Sequence, residues 1–349
     1  MNPPVLSLRV REATPADGAA WDAFVETHPN ATPFHLRAWL RAVGRALGHR
    51  CSALVAERGG RIVGVLPLVA VESRLFGRAL IGTGFAVAGG PLATDPAAAE
   101  ALVERAEDLA RTGRFDRLEL RCPPPDRPGW QALGGRHLSF RRALDPDPEV
   151  NFRTLRNKQR NMVRKGRALG LRIEPDPGCG RFWPLYAASV HRLGTPVLPK
   201  AWFEALEREF ADRCETLVVL QGERPVAGVL SFYFHATVFP YYAGGIPEAR
   251  QLAAHDFMYD ALMRRAVVER GCRWFDFGRS KVGSGHADFK RHWGFEPEPV
   301  VYGFWSPSGR PPPDLDPRSD RNRLLVAAWQ RLPRWLADRL GPSIARQIG

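Results

Sequence analysis

The sequence predicts a mixed α/β (α+β) fold built twice in tandem, and three observations carry that expectation. A pattern of strand, turn, strand, short strand ending in two glycines, helix, and strand opening on Phe-Asp occurs twice in the 349 residues, offset by roughly 160. A helical stretch bearing tryptophan precedes each copy. Between the copies lies Leu144-Asp-Pro-Asp-Pro-Glu149, whose prolines disfavour both helix interiors and sheet ladders. Agreement over so many elements points to two similar domains, residues 1–148 and 149–310, followed by a tail at 311–349.

Each element has a local reason. In the first copy, the stretch from Trp21 to Val43 has helical spacing, and its tryptophans read as core. Ala53–Glu57, a Gly59-Gly60 turn and Arg61–Val69 read as a hairpin. Phe85–Gly90 follows as a short strand. Ala98–Thr112 places apolar residues at three- and four-residue intervals, which predicts a helix, and Phe115–Leu120 returns as a strand. In the second copy, Phe182–Phe210 is helical. Leu217–Leu220, a turn through Gly222, and Val226–Phe234 form the hairpin. Tyr241–Gly245 is the glycine-ended strand, Leu252–Glu269 the helix, and Phe275–Phe277 the final strand. The loop from Ser306 to Pro317 closes the second domain. Arg318–Gly349 then sets Leu325, Trp329, Leu332, Trp335, Leu336 and Leu340 near one helical face, interrupted by Pro333. That face suits packing on the body or an interfacial helix.

Composition narrows the function. An apolar fraction of 44% supports a globular core, and a net charge of +13 implies an anionic partner such as nucleic acid, a nucleotide-linked substrate or a membrane surface. The five cysteines are scattered without a Cys-x-x-Cys pair, which argues against a disulfide framework or zinc site and fits a cytoplasmic location. The N-terminus does not read as a signal peptide, and no apolar run reaches the roughly 18 residues a membrane span needs.

Lysine is scarce. Only Lys158, Lys165, Lys200, Lys281 and Lys290 stand among the 50 basic residues. Phe152–Leu169 is rich in both basic types. Read as one helix, it aligns Arg153, Arg156, Arg160, Arg164 and Arg167 beside an apolar stripe of Phe152, Leu155, Met162, Val163 and Leu169. With no acidic residue interleaved, that row suits the phosphates of a nucleotide sugar, coenzyme A or tRNA.

Gly278-Arg-Ser-Lys-Val-Gly-Ser-Gly follows a strand, but Ser284 and Gly285 stand where a P-loop needs Lys and Ser/Thr. His286 and His292 are six apart with no cysteine near, so no metal site is expected. His255-Asp256 reads as a helix cap in preference to a catalytic dyad. The remaining candidate is Ala287-Asp-Phe-Lys-Arg-His-Trp-Gly-Phe295, where Phe289 and Trp293 would anchor one helical turn and fix the direction of Lys290. An ammonium so held could stabilise the oxyanion formed when an amine attacks an ester or thioester. The alternative is that Lys290 only pairs with Asp288 or Asp276.

The duplicated domain, Arg160-Asn-Met-Val-Arg-Lys-Gly166, Trp274-Phe-Asp-Phe-Gly278 and Gly285-His-Ala-Asp-Phe-Lys-Arg-His-Trp-Gly-Phe295 resemble the FemAB family. The likeness is greatest to the branch that accompanies exosortase/PEP-CTERM exopolysaccharide loci. It implies two tandem GNAT-like acyltransferase domains with mixed sheets flanked by helices. It also implies transfer of an aminoacyl or acyl group to an amine of a peptidoglycan or exopolysaccharide precursor, with Lys290 orienting the transferring carbonyl.

Asp276 and Asp288 are then candidate proton acceptors. Arg153, Arg156, Arg160, Arg164, Lys281, His286 and Tyr242 form the expected substrate-binding set. No bound cofactor is expected; the donor would be aminoacyl-tRNA or acyl-CoA, and the acceptor a nucleotide- or lipid-linked envelope precursor. The helical-hairpin insertion that some of these ligases use for tRNA has no counterpart here, and the coenzyme A signature is not intact around Arg250-Gln-Leu-Ala-Ala254. An acyl-CoA-dependent N-acyltransferase and a non-catalytic basic scaffold at the membrane or the polysaccharide machinery are the competing readings; the expected place is the cytoplasm, with peripheral contact at the inner membrane through residues 318–349.

Overall fold

The computed structural model describes residues 7–73, 76–311 and 320–348. The first six residues, read above for a leader, and 312–319 of the proline loop and tail lie outside them. The chain divides into two compact units: Met1–Gly134 with Val301–Pro313 and Gln347–Gly349, and Gly135–Val300 with Asp314–Arg346.

The first unit runs β1 (Leu8–Glu12), α1 (Gly18–Thr27), α2 (Arg37–Leu47), β2 (Arg50–Arg58), β3 (Arg61–Ser73), β4 (Gly77–Gly82), β5 (Leu92–Ala93), α3 (Pro96–Thr112) and β6 (Arg117–Leu120). β7 (Trp130–Ala143) begins here and belongs to the second unit from Gly135. The second unit continues with α4 (Pro148–Thr154), α5 (Asn157–Ala168), β8 (Leu171–Pro175), α6 (Phe182–Arg192), α7 (Lys200–Phe210), β9 (Cys214–Gln221), β10 (Arg224–Phe234), β11 (Thr237–Gly245), α8 (Ala254–Val268), β12 (Trp274–Lys281) and α9 (Gly285–His292). β13 (Pro297–Trp305) follows, then α10 (Asp320–Arg331) and α11 (Arg334–Ala345).

The repeat is real at the level of topology. Within the first unit the strand order is β1-β2-β3-β4-β6-β13, and within the second β8-β9-β10-β11-β12-β7. In each, one parallel pair, β4–β6 or β11–β12, interrupts antiparallel neighbours. The last strand of each sheet comes from the other half of the chain. Gly303–Trp305 of β13 pair with Leu118–Leu120, and residues of β7 pair with β12. Residues 135–143 therefore pack outside the 1–148 segment in which the sequence places them, and 301–305 pack with the first unit.

The alternation pattern does not announce β7 or β13. The first contains Gly134-Gly135 and many polar residues, and the second opens Pro297-Glu-Pro299, all weak strand signals. The expected strand at 85–90 reduces to a single bridge, Gly89 to Arg121. Three expected helical stretches are each broken into two helices: 21–43 at His28–Leu36, 182–210 at Leu193–Pro199, and 152–169 at Leu155–Arg156, where both residues are extended. The 144–149 linker is a helix start: Asp147 accepts from the Glu149 N–H at 2.8 Å with Pro148 in the first turn.

Three tryptophans of the helical stretches, Trp21, Trp39 and Trp202, are core, and Trp183 is half-buried. Trp21 and Trp39 are fully buried, and their indoles donate to the carbonyls of His35 and Gly84 at 2.8 and 2.9 Å. In the second unit, α6 lies so close to β11 that a Cβ on Gly244 would sit 2.4 Å from the Tyr186 Cα. Phe140, Phe275, Phe277, Trp293 and Phe295 fill the opposite side of that sheet, against α8.

Two stability effects follow. Gly244→Ala forces α6 off the sheet and costs about 1–3 kcal/mol; an unchanged urea midpoint would refute the close packing. His35 is buried and accepts from the Thr32 N–H through Nδ1 at 3.1 Å, and burial pushes its pKa down to about 4. The neutral ring thus stabilises the fold above the unfolded pKa near 6.5, and that contribution is lost as pH falls toward 4, by up to roughly 3 kcal/mol. Urea titrations at several pH values should show a shallower acid slope for His35→Gln; equal slopes would count against it.

Candidate functional site

The second sheet opens where its parallel strands part. β11 and β12 share the pairs Thr237↔Trp274 and Val238↔Phe275. Beyond these, among the described residues, no ladder pair joins them. Both strands depart from regular pairing at this point. β11 passes from Pro240 opposite Ser231 to Tyr242 opposite Leu230, so Tyr241 is an extra residue, and β12 is irregular between Asp276 and Arg279. Bulges re-aim a strand and its side chains, and here both irregularities lie where the β11–β12 ladder ends. In the first unit, the parallel pair β4–β6 spans Ala79–Ile81 and Arg117–Glu119. There the chain returns on itself, with Gly89 bridging Arg121 and Tyr302 donating to the Val87 carbonyl at 2.6 Å.

Lys290 and Asp276 hold the irregular part of β12. Lys290 is 9% exposed, and its Nζ donates to the carbonyls of Phe277, Gly278 and Arg279 at 2.7, 3.1 and 3.2 Å. It also lies over the rings of Phe140 and Phe277, at 5.3 and 5.7 Å from their centroids. Asp276 accepts from the Gly278 N–H at 2.7 Å, and Gly278 has φ +61, which suits glycine. Three simultaneous bonds to carbonyls require the three donors of an ammonium. Burial pulls Lys290 down to about 7, and the Asp276 charge opposes that fall; burial in turn raises Asp276.

This corrects the orientation expected from sequence. Phe289 and Trp293 do pack together, with ring centroids 5.9 Å apart, but the ammonium between them is turned onto protein carbonyls. Its donors are committed to the backbone of β12. Asp288 is exposed on α9 and pairs with Arg291 at 3.1 Å, so the Lys290–Asp288 pairing does not form.

The far end of β11 carries groups that the sequence reading passed over. Ser189 Oγ accepts from the Gly245 N–H at 2.9 Å, and the Gly245 carbonyl accepts from Ser189 and Arg192 at 3.1 and 2.8 Å. His255, beside Gly245, lies in the first turn of α8 and does not cap it. The cap position is Ala253, with φ 56 and no side-chain cap bond. Asp256 instead accepts from the Trp293 indole at 3.1 Å, and burial raises it to about 6.

Desolvation, followed by the charges of Arg192 and His286, lowers His255 to about 4. Desolvation and then Lys290 also lower His286. The cap residue of α8 thus gives its first turn no side-chain bond, and that turn lies close to Arg192 and His255, a setting that favours an anion. The Gly-Gly ending of β11 was the available signal, since it marks close backbone approach.

The other expected binding residues are dispersed. The Tyr242 phenol accepts from the Trp202 indole at 3.1 Å within a cluster of Tyr186, Phe203 and Tyr241, and burial pushes its pKa well upward. Lys281 ends β12, exposed, and its carbonyl accepts from Ser284, which caps α9. The single arginine row is broken with its helix. Arg153 lies on α4, 3.7 Å from Asp147; Arg156 precedes α5; and Arg160 donates to the Arg153 carbonyl at 2.7 Å. Arg164 stacks over Phe152, and Arg167 pairs with Asp260 at 2.6 Å. Leu169, counted in the apolar stripe, is 40% exposed; Gly166 takes the contact instead, against Phe257.

Residues 151–291 match the acetyltransferase (GNAT) domain family. No curated protein sequence matches the chain. Among solved structures the chain is similar to FemX, at 15% identity over 84% of this chain and 96% of that one, with a TM-score of 0.65. It is also similar to the C-terminal domain of a protein described as a lysylphosphatidylglycerol synthetase from Agrobacterium fabrum, at 13% identity, 84% and 92% coverage and TM-score 0.55. A tandem GNAT protein from the clavulanic acid biosynthesis pathway gives 14% identity, 87% and 99% coverage and TM-score 0.55. The chain is a tandem α/β protein of the GNAT fold, and its second unit holds the segment that matches the acetyltransferase domain.

Proposed function

We propose that this protein is an N-acyltransferase that moves an aminoacyl or acyl group onto an amine of a cell-envelope precursor. The observation that carries the reading is the parting of β11 and β12 beside the α8 N-terminus. The donor's acyl carbonyl lies along the β11 edge past the Tyr241 bulge, where backbone N–H groups receive its oxygen. The donor's phosphates face α8, Arg192 and His255, with Arg153, Arg156, Arg160 and Arg164 as a second basic surface for a longer donor.

In the reaction, the amine attacks the carbonyl carbon of an ester or thioester. The oxyanion collapses, and the alcohol or thiol leaves. The amine's proton must pass to a base. His286, neutral at pH 7 and exposed at the start of α9, is placed to relay it to water, whereas burial makes His255 too weak a base for that step. Lys290 is a positioning residue in this account, because it fixes the β12 backbone where the strands part.

Likeness to FemX and to a lysylphosphatidylglycerol synthetase supports an aminoacyl donor and an envelope acceptor; a peptidoglycan or PEP-CTERM exopolysaccharide precursor as that acceptor rests on the motif resemblance alone. The match to an acetyltransferase domain supports the second reading, an acyl-CoA donor.

Purified protein incubated separately with charged tRNA and with an acyl-CoA pool should consume one donor, followed by mass spectrometry. Consumption of neither, in the presence of envelope precursor extracts, would contradict the reading. Lys290→Met leaves three carbonyls without their donor and should lower stability by about 2 kcal/mol or more and transfer by at least about ten-fold. A variant with unchanged urea midpoint and turnover would remove Lys290 from the account.

A further inference from the structure

The two C-terminal helices invert the usual burial rule. α11 turns its small residues inward: Ala337, Gly341 and Ala345 are buried, and a Cβ on Gly341 would lie 2.9 Å from Val197. Its large residues point outward, with Trp335 67% and Leu340 43% exposed. α10 does the same. Val326 meets Gly194 and Gln330 donates to the Arg192 carbonyl at 2.7 Å, while Leu324 and Leu325 are 73% and 63% exposed.

Docking does not depend on the outward residues. Arg334 holds α11 in place by donating to the Pro184 carbonyl at 2.8 Å, and Asp338 on the same helix steadies its guanidinium at 3.0 Å. Arginines occupy the same outward faces. Arg331 follows Leu324 and Ala328 at helical spacing on α10, and Arg339 follows Trp335 by one turn on α11; both are exposed. A hydrophobic surface whose large side chains contribute so little to packing marks an interaction site.

We infer that α10 and α11 form a docking face for an anionic lipid bilayer, lying in the headgroup region with Leu324, Leu325, Trp335 and Leu340 inserted. Charge selects this occupant. The chain carries a formal +13, and tryptophan, leucine and arginine on one helix face are the materials of an interfacial helix. No helix among the described residues is long and apolar enough to cross a membrane, so the contact is one of lying on the surface. The contact stands independently of acyl transfer.

The test is flotation of the full chain with vesicles of phosphatidylglycerol and phosphatidylcholine, and with phosphatidylcholine alone. The wild type should float with the anionic vesicles and detach as salt rises, since screening weakens the arginine contribution. Trp335→Ser combined with Leu340→Ser should bind at least about ten-fold less, with its thermal midpoint unchanged because both side chains are exposed. Equal flotation of this variant, or failure of the wild type to float with anionic vesicles at low salt, overturns the inference. A lipid-free dimer in light scattering that the same substitutions dissociate, without flotation, gives the face to a second copy and likewise overturns it.

Discussion

The second unit depends on how one ammonium is spent. Lys290 reaches three successive carbonyls of β12, and Asp276 receives the amide that the same detour exposes. Without these partners the turned backbone would leave several buried polar groups unsatisfied, each costing about 1–3 kcal/mol. With them, β12 can depart from a regular ladder just where it leaves β11. The parting of the strands therefore rests on satisfied backbone chemistry, and Phe140 and Phe277 shield the charge that provides it. Arginine could not substitute simply, because its planar fork spreads donors in one plane whereas an ammonium directs them around a point.

The sequence disclosed the doubled architecture because topology repeats through local signals: hairpin turns, glycine-ended strands and helical periodicity. It could not disclose the exchange of β7 and β13 between the two sheets, since which sheet a strand joins is a non-local choice. The helix break at Leu155–Arg156 was equally hidden. Asn157 and Lys158 are tolerated in helices, and only the burial of Leu155 and Phe152 shows that the chain must turn there.

The site was half legible. Lysine scarcity singled out Lys290, and the flanking Phe289 and Trp293 suggested a fixed side chain; the groups that hold its ammonium are carbonyls of β12. Its direction was not readable, because three of its partners are carbonyls, which every residue type carries. His255 and Asp256 were read as a cap from their place at a helix start, but Ala253 holds that position and Asp256 is drawn to Trp293. Long-range partners of this kind leave no spacing pattern. The arginine surplus divides similarly into structural and outward-facing members, with Arg167 and Arg264 both bound to Asp260, while Arg156 and Arg339 face solvent.

The central claim is that the parted strands β11 and β12 receive the donor. Hydrogen–deuterium exchange of the full chain, with and without a non-reactive aminoacyl-tRNA or coenzyme A analogue, tests it most directly. The account predicts slowed exchange in the backbone of 239–245, the first turn of α8 and 276–281 when the donor analogue is bound. Protection confined to other segments under saturating analogue would contradict it.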